Sequence, residues 1–251
     1  MKQIIQILGG AFPRLRQVIR KARADTMTSE EYVDRLRSCG IRVGDGVRFR
    51  YPSHTLIDTT RPCLVEIGNN VDINDNFTIL THDFGTFVFR ECYHDFVNSS
   101  GKVTIGSNIV FGRDVTILKG VSIGDNCIIG LGSVVSKSIP SDSVAVGVPA
   151  KVICSLEDYY KKRKAAQIKE ALEFGRELAR VKGIDNLKAS DFPEEWVLFV
   201  NEEEYNKSEL LRKEVDFRLK GKIDIKEFLH RPKPFSGFPE FLNAIMQNRT
   251  Q

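Results

Sequence analysis

The 251-residue sequence has no long run of apolar residues. A helix that spans a membrane needs about twenty of them in succession. The apolar run Ile4–Leu8 near the N-terminus is short, is interrupted by Gln6 and is not followed by a small-residue cleavage site. The sequence therefore predicts neither a transmembrane helix nor a secretory signal peptide, and we expect a cytoplasmic protein with no membrane contact.

Cysteine and histidine are also scarce. The five cysteines are odd in number and none belongs to a Cys-x-x-Cys pair, which fits a reducing compartment and argues against a disulfide framework or a structural zinc site. None of the four histidines, His54, His82, His94 and His230, has the spacing of a paired metal ligand, so we expect no metal. The net charge of +4 is too small to favour nucleic acid as a partner.

A hydrophobic residue returns every six positions between residues 103 and 135. A helix repeats every 3.6 residues and a single strand every 2, so neither gives this period. Short strands separated by turns do, with one side chain per repeat pointing inward, and they stack as a solenoid. An antiparallel sheet with evenly spaced turns is the alternative, but hairpin loops vary in length and would lose the phase. The predicted inward residues are Ile105, Phe111, Ile117, Ile123, Ile129 and Val135, each preceded two places earlier by Val103, Ile109, Val115, Val121, Cys127 and Ser133 respectively.

The repeats divide the chain into three parts. Residues 1–40 follow helical spacing, with Thr28 and Glu31 positioned as a capping box at the start of a helix. Residues 41–154 hold the repeats, and residues 155–251 open with a long charged helix. We therefore predict an N-terminal helical segment, a β-solenoid domain and a helical C-terminal extension.

Two stretches depart from the repeat. In the first coil, Thr55 and Arg61 occupy inward positions and are poor core residues, so residues 52–64 are expected to be irregular. Residues 81–102 form a longer excursion with five aromatic residues and two histidines. Long loops in compact domains usually serve a function. The aromatic residues of this excursion either form a small core of their own, or cover a bound ligand, or do both.

Three motifs resemble those of the hexapeptide-repeat acyltransferases: Ile-Gly-Asp-Asn-Cys-Ile at 123–128, Gly-Leu-Gly-Ser-Val-Val at 130–135 and Gly-Val-Pro-Ala-Lys-Val-Ile at 147–153. The resemblance covers about residues 43–155. It is nearest to the galactoside and maltose O-acetyltransferases and to the O-acetyltransferases of bacterial capsule and O-antigen (lipopolysaccharide) synthesis. It implies a mainly β fold, namely a left-handed parallel β-helix with an extruded loop. It further implies a homotrimer with active sites between subunits, acetyl-CoA as acyl donor and a carbohydrate acceptor.

In this family a histidine at the start of the extruded loop is the catalytic base, and His82 matches it. A neutral hydroxyl is a weak nucleophile, and histidine can take its proton near neutral pH. The resemblance implies direct attack on acetyl-CoA without an acyl-enzyme, with a backbone N–H stabilising the oxyanion. His94, in the middle of the loop, is the rival base. Asp83 is poorly placed to orient His82, since adjacent side chains of an extended segment point apart, and the group that does so is not evident from the sequence.

The resemblance also assigns contacts to acetyl-CoA by position. Ser107 matches a residue of the acetyl-CoA groove, and Leu131 stands where the family has alanine, so its contact would be through the backbone. Ser136 and Lys137 match a Thr-Lys pair beside the pantetheine and nucleotide. Lys151 stands where a basic residue meets the CoA phosphates, a role that suits the point charge of lysine.

On the acceptor side the candidates are Asn74, Asn76 and His94. The two asparagines lie one coil edge before His82, where their amides would hydrogen-bond sugar hydroxyls. Asparagine is also a common turn former, which is the structural alternative. His94 is expected on the substrate side of the loop if it is not the base.

Three hypotheses of function remain. The first is a CoA-dependent O-acetyltransferase acting on a sugar of a surface polysaccharide or its precursor, which the long C-terminal extension favours. The second is an N-acetyltransferase acting on an amino-sugar nucleotide, although residues 1–40 are too short and helical for the nucleotide-binding domain that such relatives carry. The third is a non-catalytic β-helix scaffold or a carbonic-anhydrase-like relative, although the histidines lack the paired spacing that a metal site in such a relative needs.

Overall fold

The computed structural model describes residues 27–219 and 221–247. The described residues form two compact units, with the boundary in the sequence between Tyr160 and Lys161. The helical pattern within residues 1–26 lies outside the described residues. In the described ranges no helix is long and apolar enough to cross a membrane, and all five cysteines are free thiols.

The first unit begins with helix α1 (Ser29–Ser38), which has the predicted capping box. The hydroxyl of Thr28 accepts from the N–H of Glu31 at 3.2 Å, and the Glu31 carboxylate accepts from the N–H of Thr28 at 2.9 Å. These two bonds satisfy donors that the first helical turn leaves free. The buried face of α1 carries Tyr32, Val33 and Leu36, which belong to the same core as the first coil.

Parallel strands wind into a three-sided β-helix. From β1 to β12, successive strands join sheets A, B and C in turn, and each strand pairs with the strand that follows it by one coil. This periodicity confirms the predicted solenoid. Sheet A contains β1 (Arg42–Val43), β4 (Val65–Ile67), β7 (Val103–Ile105) and β10 (Ser122–Ile123).

The other two sides are built in the same way. Only the last pair, β13 with β14, is antiparallel among the described strands, and it closes the end of sheet B. Sheet B contains β2 (Arg48–Phe49), β5 (Val71–Ile73), β8 (Ile109–Phe111), β11 (Ile128–Ile129), β13 (Ser143–Gly147) and β14 (Ala150–Ser155), and sheet C contains β3 (Thr55–Ile57), β6 (Phe77–Ile79), β9 (Thr116–Ile117) and β12 (Val134–Val135).

All six predicted inward residues from Ile105 to Val135 are buried in one continuous core, with at most 2% of each exposed. Ile105 pairs with Ile123, and Ile117 with Val135, so like positions stack from coil to coil. The glycines after the strands allow this close approach. A Cβ on Gly68 would lie 2.6 Å from the carbonyl oxygen of Gly106, which would force the two coils apart.

We name the three turns of the coil by the sheets they join: the first corner leads from A to B, the second from B to C and the third from C to A. Asparagine and aspartate take the left-handed conformation at the first two corners, for example Asn108 at the first and Asn76 and Asp114 at the second, with φ of 55–58°. Short polar side chains tolerate this conformation better than most.

The first coil is less irregular than expected. Short 3₁₀ turns occupy Pro52–His54 and Pro62–Leu64, but Thr55–Ile57 form β3 and pair with β6. Ile57, not Thr55, is the inward residue of this strand and stacks on Ile79. The expectation for residues 52–64 was wrong there because the added turn moves the inward position from Thr55 to Ile57.

The excursion at residues 81–102 leaves the third corner between β6 and β7. It carries helix α2 (Thr86–Tyr93), none of whose side chains is buried. The aromatic residues of the loop therefore do not form a core of their own, which excludes one of the two roles considered for them.

The second unit is helical, as predicted for the extension. Its core is aromatic: the ring of Phe192 lies 5.0–6.4 Å from those of Phe199, Phe238 and Phe241, and Trp196 meets Phe228 at 5.7 Å. The helices are α3 (Leu156–Lys182), which begins in the first unit, α4 (Glu202–Lys207), α5 (Glu209–Leu219), α6 (Ile225–His230) and α7 (Phe238–Gln247), with 3₁₀ turns at Ile184–Asn186, Ala189–Asp191 and Glu195–Leu198.

Candidate active site

His82 lies at the third corner, where the chain leaves the β-helix. The loop begins as a short antiparallel ladder in which His82 is bridged to Ser100 and the carbonyl of Thr81 accepts from the N–H of Gly101 at 2.9 Å. Thr81 is fully buried, while the His82 side chain keeps 15% of its surface exposed. The imidazole is therefore anchored on the core side and reachable from solvent.

Asp58 orients the imidazole of His82. It follows β3 in the preceding coil, where its N–H donates to the carbonyl of Ile79 at 3.1 Å. Its Oδ2 lies 2.6 Å from His82 Nδ1 and also accepts from the Thr81 hydroxyl. Its Oδ1 accepts from the Thr60 N–H at 2.9 Å and from the Thr60 hydroxyl at 2.6 Å.

These contacts keep Asp58 ionised. Burial alone would raise the pKa of this carboxyl, of which 8% is exposed, but hydrogen bonds from Thr60, Thr81 and His82 outweigh burial and hold the pKa well below its usual range. An ionised carboxylate only accepts hydrogen bonds, so the Nδ1 that faces it carries a proton. In the neutral imidazole this leaves the lone pair on Nε2, the nitrogen that can accept a proton from a substrate.

Asp83 does not contact His82, as the sequence indicated. Its carboxylate accepts from the N–H of Gly85 and from the hydroxyl of Ser99, both at 3.0 Å, and forms an ion pair with Lys119 of the next coil. The hydrogen bond from Lys119 is the main cause that lowers the pKa of Asp83 to about 2. Asp83 thus fastens the base of the loop to the next coil.

The remaining predicted residues are distributed over all three corners. Ser136 and Lys137 share the third corner with His82, two coils further on, and are exposed. At about 4.8 Å per coil this is roughly 10 Å along the axis. Ser107 lies at the first corner, Leu131 with 76% of its surface exposed lies at the second, and Lys151 lies on β14.

Asn74 and Asn76 lie at the second corner, away from His82 within one chain. Asn74 Oδ1 accepts from the N–H of Asp75 at 2.9 Å, and the Asn76 amide donates to Asp114 at 2.7 Å. Both side chains therefore have turn-forming partners. The Ser107 hydroxyl likewise accepts from the N–H of Asn69 at 3.0 Å and links two coils.

His94 ends helix α2 with φ of 53°, in the left-handed conformation, and is exposed. It lies beyond His82 in the chain, on the far side of the loop helix. No contact joins His94 to Asp58 or His82 in the described residues, which leaves the Asp58-bound His82 as the better base of the two. The same part of the chain contains no cluster of three or more His, Cys, Asp or Glu that could hold a metal ion.

Sequence reasoning missed Asp58. The spacing between Ile57 and its stacking partner Ile79 is not a multiple of six, so counting in sixes does not align Asp58 with the start of the loop. A usable signal was present, because Ile57 is an apolar residue directly followed by an acid and two threonines, within one coil of a candidate catalytic histidine.

Comparisons with known proteins identify relatives of the chain. The chain is 37% identical over 129 residues to protein CapG of Staphylococcus aureus, and the match spans 51% of this chain and 74% of that protein. It is 42% identical over 157 residues to SAV2555 of the same species, whose name describes it as an acetyltransferase, spanning 54% of this chain and 73% of that one.

A third relative is the galactoside O-acetyltransferase of Escherichia coli K12, 44% identical over 94 residues. This match spans 38% of the present chain and 45% of the relative, which is less than half of its length. A scan of the sequence against protein-family models finds no match.

We expect Asp58→Asn to lower the free energy of unfolding by about 1–3 kcal/mol at pH 7, because the amide leaves buried donors without a carboxylate. The folded pKa of Asp58 lies below its unfolded value of about 3.9. Its ionised form therefore stabilises the fold fully above about pH 5, and this contribution is lost progressively as the pH falls below about 4 towards the folded pKa. Urea unfolding at pH 7, 5 and 3 should show the difference between wild type and variant narrowing with acid.

The control is Asp45→Asn, whose side chain is 98% exposed and which should change stability by less than about 0.5 kcal/mol. A difference between wild type and Asp58→Asn that stays constant from pH 7 to pH 3 would contradict the assignment.

Proposed function

The chain belongs to the hexapeptide-repeat acetyltransferase family, and from this premise we propose that it transfers the acetyl group of acetyl-CoA to a sugar hydroxyl of a surface polysaccharide or its precursor. The observation that carries the proposal is the 2.6 Å contact between His82 Nδ1 and the ionised Asp58 at the base of the extruded loop. The similarity to a galactoside O-acetyltransferase favours a sugar hydroxyl as the acceptor.

His82 acts as the general base. Its Nε2 takes the proton of the acceptor hydroxyl while the oxygen attacks the thioester carbonyl of acetyl-CoA. The tetrahedral intermediate then expels the CoA thiolate, which recovers a proton from the imidazolium. Asp58 is a positioning residue: it fixes the ring and its tautomer, and its negative charge stabilises the imidazolium that forms.

The donor is proposed to contact the predicted CoA residues. Ser136 and Lys137 lie at the same corner as His82, on the side towards the end of the β-helix. Lys151 is exposed on β14, where its ammonium is accessible to a phosphate group. Leu131 would contribute its backbone.

The positions of the predicted residues support a homotrimer. Within one chain His82 lies at the third corner, Ser107 at the first and Asn74 at the second, so these side chains can share one site only if two copies of the chain meet. A trimer with sites between subunits satisfies this requirement. We propose that the protein works in the cytoplasm, where its thiols stay reduced.

We expect His82→Ala to lower kcat by about 10²–10⁴-fold with little change in the KM for acetyl-CoA, since a general base contributes by that factor. Thiol release from acetyl-CoA would be followed with methyl β-galactoside, maltose, N-acetylglucosamine, acidic oligosaccharides and nucleotide-linked amino sugars as acceptors. His230→Ala is the control, because His230 lies on α6 of the second unit, 70% of its side chain is exposed, and it is not among the predicted site residues.

Full activity of the His82→Ala protein would contradict the assignment of His82 as the general base. A His94→Ala protein that loses kcat in its place would identify the rival histidine. A preference for the nucleotide-linked amino sugars would favour the hypothesis of an N-acetyltransferase over that of an O-acetyltransferase. A wild-type protein that binds no acetyl-CoA would favour the hypothesis of a non-catalytic scaffold.

Lys151→Ala should raise the KM for acetyl-CoA about tenfold, because the variant loses one hydrogen bond to a charged group. The same substitution should leave the KM for S-acetylpantetheine unchanged, because that donor has no nucleotide phosphates. Lys213→Ala, on α5, is the control. Equal effects on both donors would contradict a phosphate contact.

Light scattering should give a mass of three times the 28.4 kDa chain. A protein that remains monomeric at the concentrations at which it is active would contradict the proposed intersubunit site.

A further inference from the structure

The extruded loop places an aromatic ring directly against the candidate base. The ring centroid of Phe84 lies 5.0 Å from that of His82, with the two planes at 70°. Phe84 nevertheless keeps 75% of its surface exposed. An edge-to-face contact of this kind uses only part of a ring, so most of Phe84 remains open beside the imidazole.

Phe84 differs in its contacts from the three aromatic residues of helix α2. The guanidinium of Arg90 lies 5.8 Å from the ring of Phe87, and Phe89 meets Tyr93 at 6.3 Å. Among the described residues, His82 is the one ring or cation that contacts the Phe84 ring. The Phe84 ring is therefore positioned by its contact with the candidate base His82 and not by the packing of helix α2.

The backbone around Phe84 is held firmly. The N–H of Gly85 donates to Asp83, whose carboxylate is fixed by Ser99 and Lys119. The carbonyl of Phe84 accepts from the N–H of Phe87 at 3.0 Å, in the turn that opens α2. A single exposed apolar ring is ordinary at a protein surface. Phe84 is set apart by its contact with the candidate base and by the fixed backbone that supports it.

We propose that Phe84 is the platform on which the sugar ring of the acceptor stacks. This inference rests on the proposed function and adds the residue that positions the acceptor. A pyranose has an apolar face of C–H groups and hydroxyls around its edge. With that face on Phe84, one edge hydroxyl is directed to Nε2 of His82, and the acceptor is selected for being a saccharide instead of a small alcohol.

The test separates aromatic stacking from simple support of His82. Phe84→Ala removes the ring, Phe84→Leu keeps apolar volume against the imidazole but has no flat face, and Phe84→Trp keeps a flat face. Phe87→Ala removes a ring of similar exposure, 66%, that does not contact His82. The acceptor is the saccharide of the panel above that the wild type acetylates with the highest kcat/KM.

We expect Phe84→Ala and Phe84→Leu to raise the KM for the saccharide up to about tenfold, the upper end of what an aromatic contact contributes. The KM for acetyl-CoA and the pH profile of kcat should not change. Phe84→Trp should stay within about threefold of wild type, and Phe87→Ala within about twofold.

Two results would overturn the proposal that Phe84 is a stacking platform for the acceptor sugar. One is a saccharide KM for Phe84→Ala within twofold of wild type. The other is a loss in kcat alone that Phe84→Leu restores, because that would make Phe84 a support for His82. A wild-type protein that acetylates no saccharide would refute the proposed function itself, and the platform with it.

Discussion

Each side chain that points into the β-helix is held between the side chains of the coils before and after it, and this stacking constrains the rest of the first unit. Ile105 pairs with Ile123, its counterpart one regular coil on, whereas Ile67 pairs with Ile105 across a coil that also contains the excursion. A close-packed interior cannot take up additional residues. The extra residues must therefore leave at a corner, and His82 is fixed at the point where they leave.

The same stacking brings a carboxylate beneath the histidine. A buried carboxylate is costly unless its oxygens are hydrogen-bonded, and Asp58 meets this condition through Thr60, Thr81 and His82. A His–Asp contact alone does not define such a site, because His54 and Asp75 form one at 2.7 Å in which His54 is 57% exposed. What distinguishes Asp58 and His82 is their low exposure and their place at the base of the loop.

The regular part of the fold could be predicted from the sequence because period six is a property of the stacking itself. Every inward residue from Val103 to Val135 is buried, and the capping box at Thr28 is present. The site was predicted in part. His82 follows a regular strand and is a candidate from the sequence alone, whereas Asp58 belongs to a coil whose 3₁₀ turns break the count in sixes. Assigning every third strand to the same sheet would also have placed Ser107, Leu131 and His82 at three different corners of the coil. The six-residue period alone does not give this assignment.

The central claim is that an ionised Asp58 holds a proton on Nδ1 of His82 and leaves Nε2 free to act as the base. Nitrogen-15 NMR of the imidazole tests this most directly, with the His82 signals assigned by comparison with His82→Ala. Above the pH at which the ring loses its charge, the account predicts a protonated Nδ1 and an unprotonated Nε2, and a mixture of tautomers in Asp58→Asn. A neutral ring with its proton on Nε2 in the wild type would contradict it.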